Sequence, residues 1–130
     1  MKMFMSASIH ARWGHRVDGL IHTHAWKVGA TVSGSADADK VYPADDLERE
    51  LVDLVEPWRG RYLTHEDEGE WKGFRPLVWE REPTVEEITR RLWAMLDDRF
   101  RSVVGVTLES VTLEEAEEFD RCRVVTLART

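Results

Sequence analysis

The stretch from Leu20 to Val32 has the sequence LIHTHAWKVGATV, and its side chains alternate as they do along a β-strand. One side of this strand carries His22, His24, Trp26, Val28, Ala30 and Val32. Residues 3–12 alternate in the same way, with Met3, Met5, Ala7 and Ile9 on one face. Strands that follow each other in a chain usually pair, so we predict two paired strands joined by a glycine-containing turn at residues 13–19.

Two helices are predicted further along the chain. The first begins near Pro43, which suits a first helical turn, and ends at Pro57. Its apolar residues recur at helical spacing: Leu47, Leu51, Leu54 and Val55. Thr84 and Glu87 have the spacing of a capping box, which predicts the start of the second helix.

Apolar residues over 103–111 and 119–128 predict a third and a fourth strand, so the element order is β-β-α-α-β-β. The simplest α+β arrangement of this order is a four-stranded antiparallel sheet with both helices on one face. The connection over residues 65–82 is long and contains Trp71, Phe74 and Trp79. It is consistent with a lid over a pocket or with a surface extension anchored by tryptophan.

Composition excludes several classes of protein. The 130 residues form one domain, 1–130, and a hydrophobic fraction of 42% excludes a disordered chain. A formal charge of −7 disfavours non-specific binding to nucleic acid. No signal peptide or membrane-spanning segment is visible, so we expect a cytoplasmic protein without a membrane partner. The single cysteine excludes an intrachain disulfide and leaves histidines as the candidate metal ligands.

His22-Thr23-His24 is the strongest local motif. Residues two apart in a strand point to the same side, about 6.5–7 Å apart, so both imidazoles can bind one zinc ion. His10 at the end of the preceding strand is the candidate third ligand, and three histidines leave a fourth position open. An H-x-H pair is also common without metal. His15 and His65 lie near predicted turns and are by default solvated residues.

Four elements of the chain resemble, in the right order, those of the 6-pyruvoyl/6-carboxy tetrahydropterin synthase family. Ser8-Ile9-His10 resembles the A-x-H element of the first strand, and His22-Thr23-His24 resembles the H-G-H motif of the second. Pro83-Thr84-Val85-Glu86 matches the P-T-x-E motif that starts the second helix. Glu109-Ser110 resembles the E-T or E-S element of the third strand. The resemblance covers about Phe4 to Val125 and implies the tunnelling fold (T-fold).

The resemblance also implies site residues and partners. It assigns zinc to His10, His22 and His24, and it assigns Glu109 to the amidine-like edge of a pterin ring. A carboxylate suits that edge because it accepts two parallel N–H bonds. Thr84 and Glu86 would line the same pocket. The family assembles as rings, usually hexamers, so the resemblance implies a homo-oligomer that acts on a small molecule.

The catalytic groups of the family are replaced in this chain. In the family, a catalytic cysteine stands four residues before the H-G-H motif. This chain has Asp18 at that position, and its lone Cys122 lies near the other end. The family's D-H-x-x-L-N motif corresponds in this chain to the segment Arg59-Gly60-Arg61-Tyr62-Leu63-Thr64. Asp18 is therefore the first candidate for a replacement base, and His65 is the second. Arg59 and Arg61 are candidates for binding an anion.

These observations predict a zinc-dependent lyase or cyclase-like enzyme related to the tetrahydropterin synthases. Its substrate is pterin-like or another small molecule, and its acid–base site is rebuilt. One alternative is a zinc-dependent hydrolase or dehydratase that activates water. A second alternative is a non-catalytic small-molecule-binding protein of the same fold.

Overall fold

A long hairpin of two strands forms the centre of the sheet. The computed structural model describes residues 1–117 and 121–130, with β1 at Lys2–Val17 and β2 at Leu20–Ser35. Asp18 and Gly19 form the turn, and both have positive φ (53° and 80°), as a type I′ turn requires. The prediction of a paired hairpin is confirmed, although β1 continues through residues 13–17, which were expected to lie in the turn.

After the hairpin, the described residues form two α-helices, a short 3-10 helix at Glu56–Trp58 and four strands: α1 (Ala44–Val55), β3 (Arg61–Thr64), β4 (Arg75–Val78), α2 (Val85–Phe100), β5 (Thr107–Glu117) and β6 (Arg121–Ala128). The strand order in the sheet is β4-β3-β1-β2-β5-β6. The four long strands pair antiparallel, and the α+β class is confirmed. The four-stranded count is wrong because β3 and β4 add two parallel strands at the β1 edge.

The boundaries of the last two long strands also differ from the prediction. β5 covers Thr107–Glu117 and not residues 103–111, because Val103 and Val104 lie in the turns that follow α2. The described part of β6 begins at Arg121. The predicted start at Phe119 lies outside the described residues.

The two added strands, β3 and β4, do not show alternating buried and exposed residues in the sequence. Tyr62, Leu63 and Thr64 are consecutive and all buried, so β3 lacks the period of two that identifies a half-buried strand. β1 meets β3 only at Gly14 and His15. A Cβ atom on Gly14 would lie 3.0 Å from both the carbonyl oxygen of His22 and Cβ of Tyr62. Glycine at this position therefore allows three strands to approach closely.

The core lies between the helices and one face of the sheet. Buried residues of α1 (Leu47, Leu51, Leu54 and Val55) and of α2 (Ile88, Leu92, Leu96 and Phe100) belong to one cluster with Trp26, Val28 and Leu113 of the sheet. Thr84 caps α2, since its Oγ1 accepts the N–H of Glu87 at 3.1 Å. The opposite face presents polar side chains, including Ser6, Ser8, His10 and Lys27. The prediction that both helices cover one face is confirmed.

The connection over residues 65–82 is an extension of the sheet. Trp71 and Phe74 form a β-bridge just before β4. Trp79 is buried in the core, where it meets Trp58 edge to face at 5.5 Å and the Arg91 guanidinium lies 4.0 Å from the centre of its ring. This agrees with the interpretation of residues 65–82 as a surface extension anchored by tryptophan. No helix within the described ranges is long and apolar enough to span a membrane.

Candidate active site

Three imidazoles converge on the inward face of the sheet, beside the hairpin turn. The ring centroids of His15 and His24 are 5.1 Å apart, those of His22 and His24 are 5.9 Å apart, and those of His15 and His22 are 6.3 Å apart. The hairpin register explains this group because His15 lies directly opposite His22, and His24 is the next inward position of β2. Trp26 lies beneath the group, 5.1 Å from the rings of both His15 and His24.

His15 is held in the form that binds a metal ion. Its Nδ1 is 2.8 Å from the carbonyl oxygen of Pro83, just before α2. Because a carbonyl oxygen only accepts, Nδ1 carries the hydrogen and Nε2 is the nitrogen left for a ligand. Burial of the ring lowers the pKa of His15 below its usual 6.5, which favours the neutral form.

A buried carboxylate completes the group. Glu115 of β5 lies opposite Trp26 in the register and is 2% exposed. Its Oε1 is 3.2 Å from Nε2 of His24. Candidate ligand atoms of His15, His24 and Glu115 all lie within 4.8 Å of one another. The described residues thus offer nitrogen and oxygen donors of the type that zinc binds.

An open cavity of about 440 Å³ lies above these donors. The structure brings together around it five residues that the sequence nominated: Asp18, His22, His24, Thr84 and Glu86. It adds three that sequence reasoning missed: His15, Glu115 and Arg123. This volume lies within the range of small-molecule sites.

Asp18 reaches the cavity from the hairpin turn. Its backbone N–H donates to Oε1 of Glu82 at 2.6 Å, which links the turn to the segment before α2. The side chain is exposed and lines the cavity together with His22. Asp18 is thus both a residue suited to a left-handed turn position and a carboxylate close to the imidazoles.

His10 does not belong to this group. It lies opposite Lys27 on the outer face of the sheet, whereas His22 and His24 lie on the same face as the buried Trp26. The structure therefore places His15, and not the predicted His10, beside His22 and His24. The error came from ending the first strand at residue 12. Asp18-Gly19 is a strong two-residue hairpin signal, and centring the hairpin on it would have placed His15 opposite His22.

Glu109 also lies away from the cavity in this chain. It is the extra residue of a β-bulge near the end of β2, where Thr31 pairs with Ser110 and Val32 with Leu108. Its Oε1 accepts from Oγ of Ser33 at 2.6 Å and from Nζ of Lys2 at 3.3 Å. The Ser33 hydrogen bond, with Lys2 as a further cause, lowers the pKa of Glu109.

The remaining nominated residues lie outside the cavity lining. His65 is exposed, and its Nε2 is 3.6 Å from Oε1 of Glu66. Arg61 donates to the carbonyl oxygen of Pro76, and Arg59 pairs with Glu56. Arg123 of β6, opposite Glu115, is the arginine that lines the cavity.

Comparison with known proteins places this geometry in context. The family model described as 6-pyruvoyl tetrahydropterin synthase matches residues 3–125. Comparison with curated protein sequences gave no match.

Solved structures with the same fold include an uncharacterised protein from Wolinella succinogenes, with TM-score 0.67, 14% identity and coverage of 100% of this chain and 99% of that one. The Plasmodium falciparum 6-pyruvoyl tetrahydropterin synthase has TM-score 0.62, 13% identity and coverage of 98% and 99%. A variant of the Plasmodium vivax enzyme, in which a catalytic glutamate is replaced by cysteine, has TM-score 0.55, 12% identity and coverage of 99% and 98%.

Proposed function

The chain belongs to the 6-pyruvoyl tetrahydropterin synthase family, and from this premise we propose that it is a zinc-dependent lyase or cyclase-like enzyme with a rebuilt acid–base site. Its substrate is a pterin-like or related small molecule. The observation that carries the proposal is the group of His15, His22 and His24 at the base of an open cavity.

The donor chemistry of the group fits zinc. Histidine nitrogens are preferred zinc ligands, and the Pro83 carbonyl fixes the His15 tautomer, as partners of metal-bound histidines generally do. Zinc bound here would supply a Lewis acid for substrate oxygens. The three histidines would hold it at the base of the cavity, and the open side would leave room for the substrate.

Asp18 is the proposed general base. It stands four residues before His22, where the resemblance places the family's cysteine, and its side chain lines the cavity. A catalytic carboxylate also occurs in the Plasmodium vivax enzyme, whose replaced catalytic residue is a glutamate. The hydrogen bond from the Asp18 N–H to Glu82 fixes the turn that carries it. His65 is the weaker candidate because it lies outside the cavity lining.

Substrate binding is assigned to residues at the mouth of the cavity. Thr84 and Glu86 at the start of α2 line the wall, and Glu86 offers an exposed carboxylate to N–H groups of a heterocycle. Arg123 provides a cation on the β6 side, where it suits a phosphate or carboxylate of the substrate.

We also propose that the protein is a homo-oligomer, a hexamer by family resemblance. Most of β1 pairs on one side only, since β3 reaches just Gly14 and His15, and β6 is the other edge of the sheet. Long open edges favour pairing with a further chain. Glu109 could line this type of cavity only in an oligomer, where the β-bulge of one subunit lies beside the cavity of its neighbour.

Metal analysis and a substrate assay test the proposal. We expect about one zinc per chain in the wild type and little in the His22→Ala, His24→Ala double variant. Equal zinc content in the two proteins would refute the site. Mass spectrometry with dihydroneopterin triphosphate should show little or no standard synthase product. Rapid conversion would show that Asp18 and residues 59–64 are not the counterparts of the family's cysteine and D-H-x-x-L-N motif.

Asp18→Asn tests the base separately. Asparagine keeps the left-handed turn and removes the carboxylate, so we expect zinc content to remain and turnover of any accepted substrate to fall. A variant with normal zinc and undiminished turnover would exclude Asp18 as the base.

A further inference from the structure

We propose that Glu115 is a fourth protein ligand of the metal ion, so that the resting site is closed by His15, His22, His24 and Glu115. The inference rests on the proposed function, since it concerns the same metal. It goes further because a three-histidine site leaves one position open, whereas this chain has a carboxylate beside that position.

The distance between Glu115 and His24 fits direct coordination as well as a hydrogen bond. In a tetrahedral zinc site with bonds of about 2.0–2.1 Å, neighbouring ligand atoms are about 3.3 Å apart. Oε1 of Glu115 and Nε2 of His24 are 3.2 Å apart. One candidate ligand atom from each of His15, His24 and Glu115 lies within 4.8 Å of the other two. A metal ion can therefore bind all three side chains with only small side-chain movements.

Burial and charge point the same way. Glu115 is 2% exposed, and an ionised carboxylate at such a depth is costly unless it pairs with a cation. A divalent ion held by neutral histidines would supply such a cation. The adjacent Glu114 has a different environment: its Oε1 accepts the thiol of Cys122 on the outer face. Two consecutive glutamates thus face opposite sides of β5, and only Glu115 can reach the metal.

A closed resting site has a consequence for the reaction class. A hydrolase that activates water needs an open coordination position, which Glu115 would occupy. With Glu115 bound to the metal, a substrate would have to displace the carboxylate with an oxygen donor of its own. Small molecules with two adjacent oxygen donors meet this requirement better than those with a single one, because chelation favours displacement.

Cobalt substitution tests the proposal with a readout that is independent of activity. Cobalt(II) is bound to the wild type, to Glu115→Gln and to the matched control Glu114→Gln, and visible absorption and zinc affinity are measured. We expect the wild type and Glu114→Gln to share one intense d–d spectrum. Glu115→Gln should shift the spectrum and weaken zinc binding about tenfold or more.

The outcomes separate this inference from the proposed function. Zinc bound by all three proteins with unchanged cobalt spectra would overturn the role of Glu115 and leave the proposed function standing. A wild type that binds neither metal would overturn both. If Glu115→Gln does not fold, a crystal structure of the zinc-loaded wild type decides. A Glu115 oxygen about 2.0–2.2 Å from zinc supports the inference, and one beyond bonding distance overturns it.

Discussion

At the turn end of the β1–β2 hairpin, polar side chains lie around a cavity. At the open end, polar side chains form hydrogen bonds between neighbouring strands. Nε2 of His24 contacts Glu115 at the first end, and Ser33 donates to Glu109 at the second. Both carboxylates belong to β5. Ser33 lies nine positions after His24 in β2, roughly 30 Å of extended chain. Among the described residues, candidate metal ligands gather around a cavity at the turn end, whereas the carboxylate at the open end pairs with a hydroxyl and an ammonium group.

The largest expected effect comes from replacing the inward-facing histidine of β1, His15, by alanine. His15→Ala removes a proposed ligand together with the tautomer-fixing bond to Pro83. We expect zinc affinity to fall by more than the roughly 10–100-fold that losing an outer partner of a ligand costs. His10→Ala is the matched control, because His10 lies on the outer face.

Calorimetric zinc titration of both variants provides the measurement. A loss of affinity in His10→Ala equal to that in His15→Ala would break the distinction between the faces.

The next effect concerns the close approach of strands at the turn end. Gly14→Ala places a Cβ 3.0 Å from the His22 carbonyl oxygen and from Tyr62. We expect the free energy of unfolding to fall by about 1–3 kcal/mol, as overpacking generally costs. Gly29→Ala in the middle of β2 is the control, since its nearest contact would be 3.5 Å.

Urea denaturation of the two glycine variants measures the difference. If Gly29→Ala is destabilised as much as Gly14→Ala, the crowding at the turn end has no special role.

At the open end the expected effect is smaller and depends on pH. The Ser33 hydrogen bond lowers the pKa of Glu109 in the folded state. Its stabilisation is therefore present above the unfolded pKa, near the usual 4.5, and is lost as pH falls through the lowered folded value. We expect Ser33→Ala to cost about 1 kcal/mol at neutral pH and to approach the wild type in acid.

Unfolding curves between neutral and acidic pH check this expectation. Lys2→Ala should cost less, because the Lys2 side chain is 63% exposed and such ion pairs contribute little. A Ser33→Ala effect that is independent of pH would exclude Glu109 as its cause.

The smallest effect sharpens the contrast between the two faces of β5. The hydrogen bond to Glu114 is the main cause that raises the pKa of the Cys122 thiol. Glu114→Gln should lower that pKa and increase the rate of alkylation by iodoacetamide at mildly alkaline pH. Glu115→Gln should leave the rate nearly unchanged because Glu115 faces inward. The alkylation rates are followed by mass spectrometry. Equal rates in both variants would contradict the assignment of Glu114 as the partner of Cys122.

Most of the fold follows from local patterns in the sequence. The alternation over residues 20–32 and the Thr84 cap identify β2 and α2 because each pattern reports one side of a regular element. β3 and β4 are short and parallel and lack alternation, so their pairing depends on contacts with β1 that no local pattern encodes.

The site was only partly predictable for a related reason. The H-x-H spacing identifies His22 and His24 without any tertiary information. The third histidine depends on strand register, which a one-residue shift inverts, so ending the first strand early selected His10. Glu115 had no motif of its own. Its role appears only once β5 is aligned beside Trp26.

The tryptophan beneath the histidines gives the protein an optical reporter. Trp26 stacks on Trp13 at 5.0 Å, and its ring lies 5.1 Å from those of His15 and His24. Any change in the charge of these imidazoles alters the field at the indole ring and thus its emission. A paramagnetic ion bound by the same imidazoles would quench that emission at close range. Ligand exchange in the cavity can therefore be followed by the intrinsic fluorescence of the unlabelled chain.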